Sequence, residues 1–392
     1  MSIPFSEIGA AVDVQVQLVV GVAIAFGFAA LVSFIPLFRN SKALCGLSIA
    51  AAVVCHQAAF VGFALINAAS YGALFWLQER PDKKRRWHYA CLAIVCLALV
   101  LSLGRIDHWE RLTWPGRTSM ALYVADMWLV LRLVTIFWEV GSGRIKLPSI
   151  ERYIIWTCLP FTLIGPVFRY SQMPASLEVN RQFWKSSGWW RDMAAGGAKL
   201  AAGFAIPVVH LFETWALPHS HFASALCGAL ITGPLSFYLV WAGYFNLMEV
   251  AAKPLSCKLS ASFNFPIGRE NISAFWANWN MTATAVFRDY LFYNRWGMRS
   301  YNVYFNTVLL FALVGLWHET NAYWLVWGLL HAFLFSTYLV WRKYRTGWTL
   351  PLQGTPAARI SARVLTYVCV CACWYLPSKI LLSVLPRFMK LI

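Results

Sequence analysis

The sequence predicts an all-α integral membrane protein, and three observations carry that prediction. Hydrophobic residues make up 59% of the 392 residues and charged ones only 12%, against roughly 25% charged in a soluble domain. The apolar residues gather in runs about twenty long, the length that crosses ~30 Å of hydrocarbon as a helix. The basic residues sit in short clusters between those runs, as the enrichment of Lys and Arg in cytoplasmic loops requires. The excess of 33 Lys+Arg over 16 Asp+Glu, +17 in all, is thereby assigned to membrane orientation. A nucleic-acid partner is not expected, because the basic residues form no continuous stretch that would follow a phosphate backbone.

In chain order, Leu18 to Phe38 is a spanning run closed by Arg39 and Lys42, which are placed in the cytoplasm. Ala43 to Leu77 is too long for one crossing and is followed by five basic residues within Arg80 to Arg86. If both basic ends face the cytoplasm, the stretch goes out and back as two short helices that turn near His56 to Gly62. The N-terminus is then outside, and with no charged leader and small-residue cleavage site it is expected to belong to the mature protein. His88 to Leu103 reads as a short crossing, and the Trp-containing connection after it as interfacial. Met120 to Val140 spans again and carries Asp126 and Arg132, each of which should look into the protein or toward the interface.

Pro160, Gly165 and Pro166 interrupt the apolar run Tyr153 to Tyr170. Breakers at that density predict a kinked or re-entrant helix whose freed backbone groups find protein or water partners. Arg181 to Arg191 is basic and aromatic and reads as an amphipathic segment at the cytoplasmic surface. Ala194 to Phe212 and Phe222 to Tyr244 are further spans, and Phe245 to Ser273 a loop with short helices. After the apolar stretch that follows come the cytoplasmic cluster Arg342, Lys343 and Arg345 and a last span from about Val364 to Leu385. Roughly ten to twelve crossings or re-entrant segments result. They are taken as one polytopic domain over residues 1–392, with N-terminal helices over 1–150, a core over 151–345 and a C-terminal connection and helix over 346–392. The ten cysteines lie mostly in apolar runs without CxxC or His pairing, so they read as small core residues and no metal site is expected.

Chemistry concentrates between Phe275 and His331. Within that block His318 and His331 are the two groups suited to proton transfer near neutral pH. An intramembrane histidine is either a functional group or a hydrogen-bonded structural one. No nucleophile elbow, GxGxxG or Walker lysine accompanies them; Gly196 to Gly203 has the wrong order for a phosphate loop and falls in a helix. What remains is a membrane-embedded base that takes a proton from a hydroxyl, with Asn280 as an amide able to hold an oxygen that gains charge. A multi-span transporter or channel with a polar intramembrane site is the alternative. It would carry internal pseudo-symmetry, and no repeat is visible in the sequence.

The block as written is Phe275-Trp276-x-x-Trp279-Asn280, Phe287-Arg288-Asp289-Tyr290-Leu291, Gly315-Leu316-Trp317-His318 and Trp327-Gly328-x-x-His331. It resembles the signature of the membrane-bound O-acyltransferases, in the bacterial branch of alginate O-acetylases and teichoic-acid D-alanyl transferases. The segments starting at Leu159 and Trp241 resemble the same branch. The resemblance implies that fold, arranged around a central tunnel in the cytoplasmic membrane. It also implies transfer of an acyl group, acetyl or another short one, from acyl-CoA or another thioester to a hydroxyl acceptor such as a surface glycan, a lipid or an exported metabolite. His318 would be the catalytic base and Asn280 its partner. Trp276, Trp279, Arg288, Trp317, Glu319 and His331 complete the candidate substrate-binding set. For His331 a structural or supporting role is the alternative, and for Arg288 a loop ion pair with Asp289. No permanently bound cofactor is implied; the thioester is a co-substrate, and a homo-oligomer or a partner acyl-transfer protein fits the pattern. Two departures stand out: the bacterial branch usually has His where this chain has Asn280, and Gly where it has Glu319. An adjacent residue on a helix points about 100° away, so Glu319 orients the imidazole, lines the acceptor's entrance or packs at the surface.

Overall fold

A computed structural model describes residues 5–56, 60–79, 119–175, 178–216, 227–292, 302–318, 322–345 and 355–388. The described elements are helical throughout: α1 (Phe5–Phe34), α2 (Ser41–His56), α3 (Phe60–Gln78), α4 (Ser119–Gly141), α5 (Ile150–Cys158), α6 (Pro160–Leu163), α7 (Ser187–Ala216), α8 (Gly233–Ala252), α9 (Ile272–Trp276), α10 (Met281–Val286), α11 (Val303–His318), α12 (Ala322–Tyr344) and α13 (Pro356–Phe388). Four of them contain stretches long and apolar enough to cross a membrane, Gln15–Phe34, Phe60–Gln78, Ala322–Tyr344 and Pro356–Pro377, and α2 and α11 are shorter apolar helices. The protein is an all-α, multi-pass membrane protein. The crossing expected over His88 to Leu103, the connection after it, and the start of the span expected from Phe222 lie outside the described residues.

The chain divides into two compact units, Met1–Leu200 with Ala242–Ala261 and Ala201–Trp241 with Ser262–Ile392. In the first, α1 runs into a 3-10 turn, Pro36–Arg39. The following run is two helices, α2 and α3, as its length requires. Arg39 Nη2 and Arg181 Nε both donate to the Ser33 carbonyl, at 3.2 and 2.8 Å. The two basic segments assigned to the cytoplasm are thus on one side of the molecule. The amphipathic segment expected at Arg181 to Arg191 is a 3-10 turn, Arg181–Lys185, leading into the first turn of α7. Trp189 is buried there, its indole donating to Val250 O at 3.0 Å, while Trp190 faces outward.

The broken helix shows why an arginine lies within α4. Pro160 has no N–H, so the Trp156 carbonyl loses its helical donor and α5 ends at Cys158. Arg132, only 1% exposed, supplies the missing hydrogens. Its Nη1 donates to Trp156 O at 3.3 Å, to Thr157 O at 3.1 Å and to Thr162 Oγ1 at 3.0 Å. A buried cation and orphaned carbonyls answer one another, as intramembrane polar groups must.

The glycine-rich turn of α7 that failed as a phosphate loop is a packing surface. A Cβ at Gly196 would stand 3.1 Å from Leu247 in the first unit, and one at Gly203 would stand 2.7 Å from Val240 in the second. Small residues at such positions let helix backbones approach closely. In the second unit α11 and α12 meet in the same way: a Cβ on Gly315 would strike the Trp324 carbonyl, and one on Gly328 the Phe311 carbonyl.

Candidate active site

Asn271 opens the site by capping α9, its side chain accepting from Ala274 N at 2.8 Å. After Trp276 the chain leaves the helix and is clamped from the preceding loop. Asn264 N donates to Asn278 O at 3.0 Å, Met281 N to Ser262 O at 2.7 Å, and Arg269 Nη2 to Asn278 Oδ1 at 3.0 Å. Asn280 follows in a left-handed conformation, φ 42 and ψ 53, at the start of α10. Its side chain does not cap that helix, and its Oδ1 is buried with no hydrogen-bond partner among the described residues. Just before it, Trp279 is stacked between Phe275 (centroids 5.4 Å, planes 17° apart) and Phe237 (6.1 Å, 7°).

His318 is the last residue of α11. Its ring stacks on Trp324 at 4.6 Å and 16°, with Trp327 edge-on at 5.3 Å. A helix C-terminus and aromatic faces both favour a cation, so this environment suits an imidazole that becomes positive in a reaction.

His318 and Asn280 line the same cavity, about 460 Å³ in volume. Trp276, Trp279, Arg288 and Trp317 line it too, so six of the eight sequence candidates come together. Arg288 Nε also pairs with Asp289 at 2.7 Å, as expected for that dipeptide. His331 is not in the lining: it is wholly buried, edge-on to Trp276 at 5.0 Å and Trp327 at 4.5 Å and parallel to Phe311 at 6.0 Å. Neither of its ring nitrogens has a hydrogen-bond partner among the described residues. It sits on α12, not on the helix of His318, so the angle expected between them on one regular helix does not apply. Glu319 lies outside the described residues.

The sequence missed three contributors. Trp324 carries no motif of its own in an aromatic-rich stretch, and Arg269 is a single base in a loop. Arg342, assigned only to a cytoplasmic cluster, lines the cavity with Phe335 and Leu339. Their spacing of four and three places them on one face of α12, a signal that was available.

No family model matches the chain. It is 26% identical over 317 residues to the teichoic acid D-alanyltransferase of Bacillus subtilis, covering 73% of this chain and 76% of that protein. It is 28% identical over 189 residues to the peptidoglycan O-acetyltransferase of Helicobacter pylori, covering 46% and 35%. To the probable alginate O-acetylase of Pseudomonas aeruginosa it is 26% identical over 181 residues, covering 44% and 34%. The chain is thus similar to members of the membrane-bound O-acyltransferases. It spans about three quarters of the first of these proteins and about a third of the other two. The O-acyltransferase signature thus falls in the second unit, where its WH and FWxxWN segments meet around one cavity.

Proposed function

We propose that the protein moves an acyl group from a thioester to a hydroxyl on a cell-surface glycan, with His318 as general base and Asn280 holding the reacting oxygen. The observation that carries this proposal is the shared cavity: the base and the amide line one mostly apolar space. The relatives named for teichoic acid, peptidoglycan and alginate support a polymeric acceptor, because the feature common to those polymers is a sugar or polyol hydroxyl.

His318 takes the hydroxyl proton as the oxygen attacks the thioester carbon. The carbonyl oxygen gains charge and accepts from the Asn280 amide. The C–S bond then breaks, the proton passes from His318 to the leaving sulfur, and ester and free thiol remain. This scheme needs neither a metal nor a covalent enzyme intermediate. Arg288 and Arg342, at the cavity, suit an anionic thioester carrier such as CoA or an acyl carrier protein. The protein would act in the cytoplasmic membrane, between a donor inside and an acceptor outside.

The test is purified protein in liposomes with radiolabelled acetyl-CoA or an acetylated carrier protein and a hydroxyl polymer. Thiol release coupled to polymer labelling, abolished by His318→Ala, is the expected result. Solute uptake without thioester turnover would replace the proposal with a transporter.

A further inference from the structure

We propose that Trp279 sets the upper limit on acyl chain length, by walling the reaction cavity off from a second apolar cavity. The proposal rests on the acyl-transfer function above. The second cavity, about 280 Å³, is bounded by Phe237, Phe275, Tyr367, Cys371 and Trp374, and Trp279 lines it as well as the first. The same indole therefore closes one end of the reaction cavity and one end of the space behind it.

Its place in the sequence puts the wall beside the residue that would hold the acyl carbonyl. Trp279 immediately precedes Asn280, so a carbonyl held by that amide has its substituent within a few bonds of the indole. The wall is fixed: Phe275 and Phe237 stack on the ring, and Phe263 abuts it edge-on at 5.3 Å. Residues that wedge a ring from three directions hold it in one rotamer. The space beyond is apolar and large enough for several methylene groups, so removing the indole would join the two cavities into one slot for a longer chain.

The experiment compares acetyl- and octanoyl-pantetheine, since pantetheine is the arm that CoA and acyl carrier proteins share. Wild type should use the acetyl thioester and discriminate strongly against octanoyl. In Trp279→Ala the ratio of octanoyl to acetyl kcat/KM should rise at least tenfold, because each newly buried methylene adds roughly threefold to fourfold. Adding Cys371→Phe, which refills the second cavity, should return the ratio toward that of wild type. Trp279→Phe, a milder change, should give an intermediate ratio and carries the test if the alanine variant does not fold. A wall with only a structural role would lower both rates in step. An unchanged ratio in an active Trp279 variant, or a wild type that already uses octanoyl as well as acetyl, overturns the inference. A wild type that turns over neither thioester overturns the acyl-transfer proposal itself.

Discussion

The His318 imidazole lies flat against the Trp324 indole, with centroids 4.6 Å apart and planes inclined by only 16°. The stack fixes the ring's orientation and presents a π face to the positive charge that forms on proton transfer, an interaction worth about 1 kcal/mol. Trp324→Leu should therefore lower kcat roughly fivefold to tenfold with little change in KM. Trp324→Phe should recover much of the loss. Steady-state kinetics on the three proteins would decide, and an unchanged kcat in the leucine variant would leave the stack with no part in the reaction.

Replacing the two polar groups that line the cavity should separate chemistry from folding. His318→Ala should reduce kcat on the order of 10²- to 10⁴-fold, and Asn280→Ala on the order of 10²- to 10³-fold. Both should keep the chromatographic profile and melting temperature of wild type, because neither side chain is fully buried. Loss of the folded peak in either variant would point to a structural residue instead.

Arg132 makes the opposite prediction. Its guanidinium replaces the helical donor that Pro160 lacks and also bonds the next carbonyl, so Arg132→Met takes a donor from both Trp156 O and Thr157 O in an apolar interior. The cost should be about 3 kcal/mol, read as a clear fall in the melting temperature of detergent-solubilised protein. Arg132→Lys should recover only part of it, since an ammonium is more strongly hydrated than a guanidinium and costs more to bury.

Where α11 meets α12, Gly328→Val should prevent assembly of the second unit, because the added carbons run into the Phe311 carbonyl. Gly72→Val is the matched control. It meets open space and should express and fold normally.

Cys257 offers a chemical check on the first unit. It is wholly buried beyond the end of α8, and burial, which disfavours the thiolate, pushes its pKa up to about 12. At pH 8 it should resist iodoacetamide in the folded protein and react once the protein is denatured. The label can be located by peptide mass spectrometry, and rapid labelling of native protein would show that the loop after α8 opens.

Much of this was legible in the sequence, and the exceptions have physical causes. The split of Ala43 to Leu77 followed from arithmetic on helix length and basic ends, and α2 and α3 are there. The broken helix followed from Pro160, but its partner did not: nothing in a linear sequence says that Arg132 aims at those carbonyls and not at lipid headgroups. On α11 the cavity face is Val303, Thr307, Leu310, Val314 and Trp317, spaced four, three, four and three. That stripe is silent in the sequence because the helix is apolar all round, so periodicity has no contrast to report. The short π-helical stretch Gly228–Thr232 falls within an expected span, and Phe287–Phe292 lies where a loop ion pair was the alternative; neither is marked in the sequence, since no residue type signals an extra residue in a turn.

Position 280 is governed by its torsion angles before any chemistry is considered. With φ at 42° and ψ at 53°, it admits few side chains without strain, and beyond glycine those are chiefly asparagine, aspartate and histidine. Asparagine here and histidine in the bacterial enzymes the motifs resemble are both drawn from that short alphabet. An exchange between those two residues leaves the main chain as it is, so the turn is kept while the group it presents to the cavity changes.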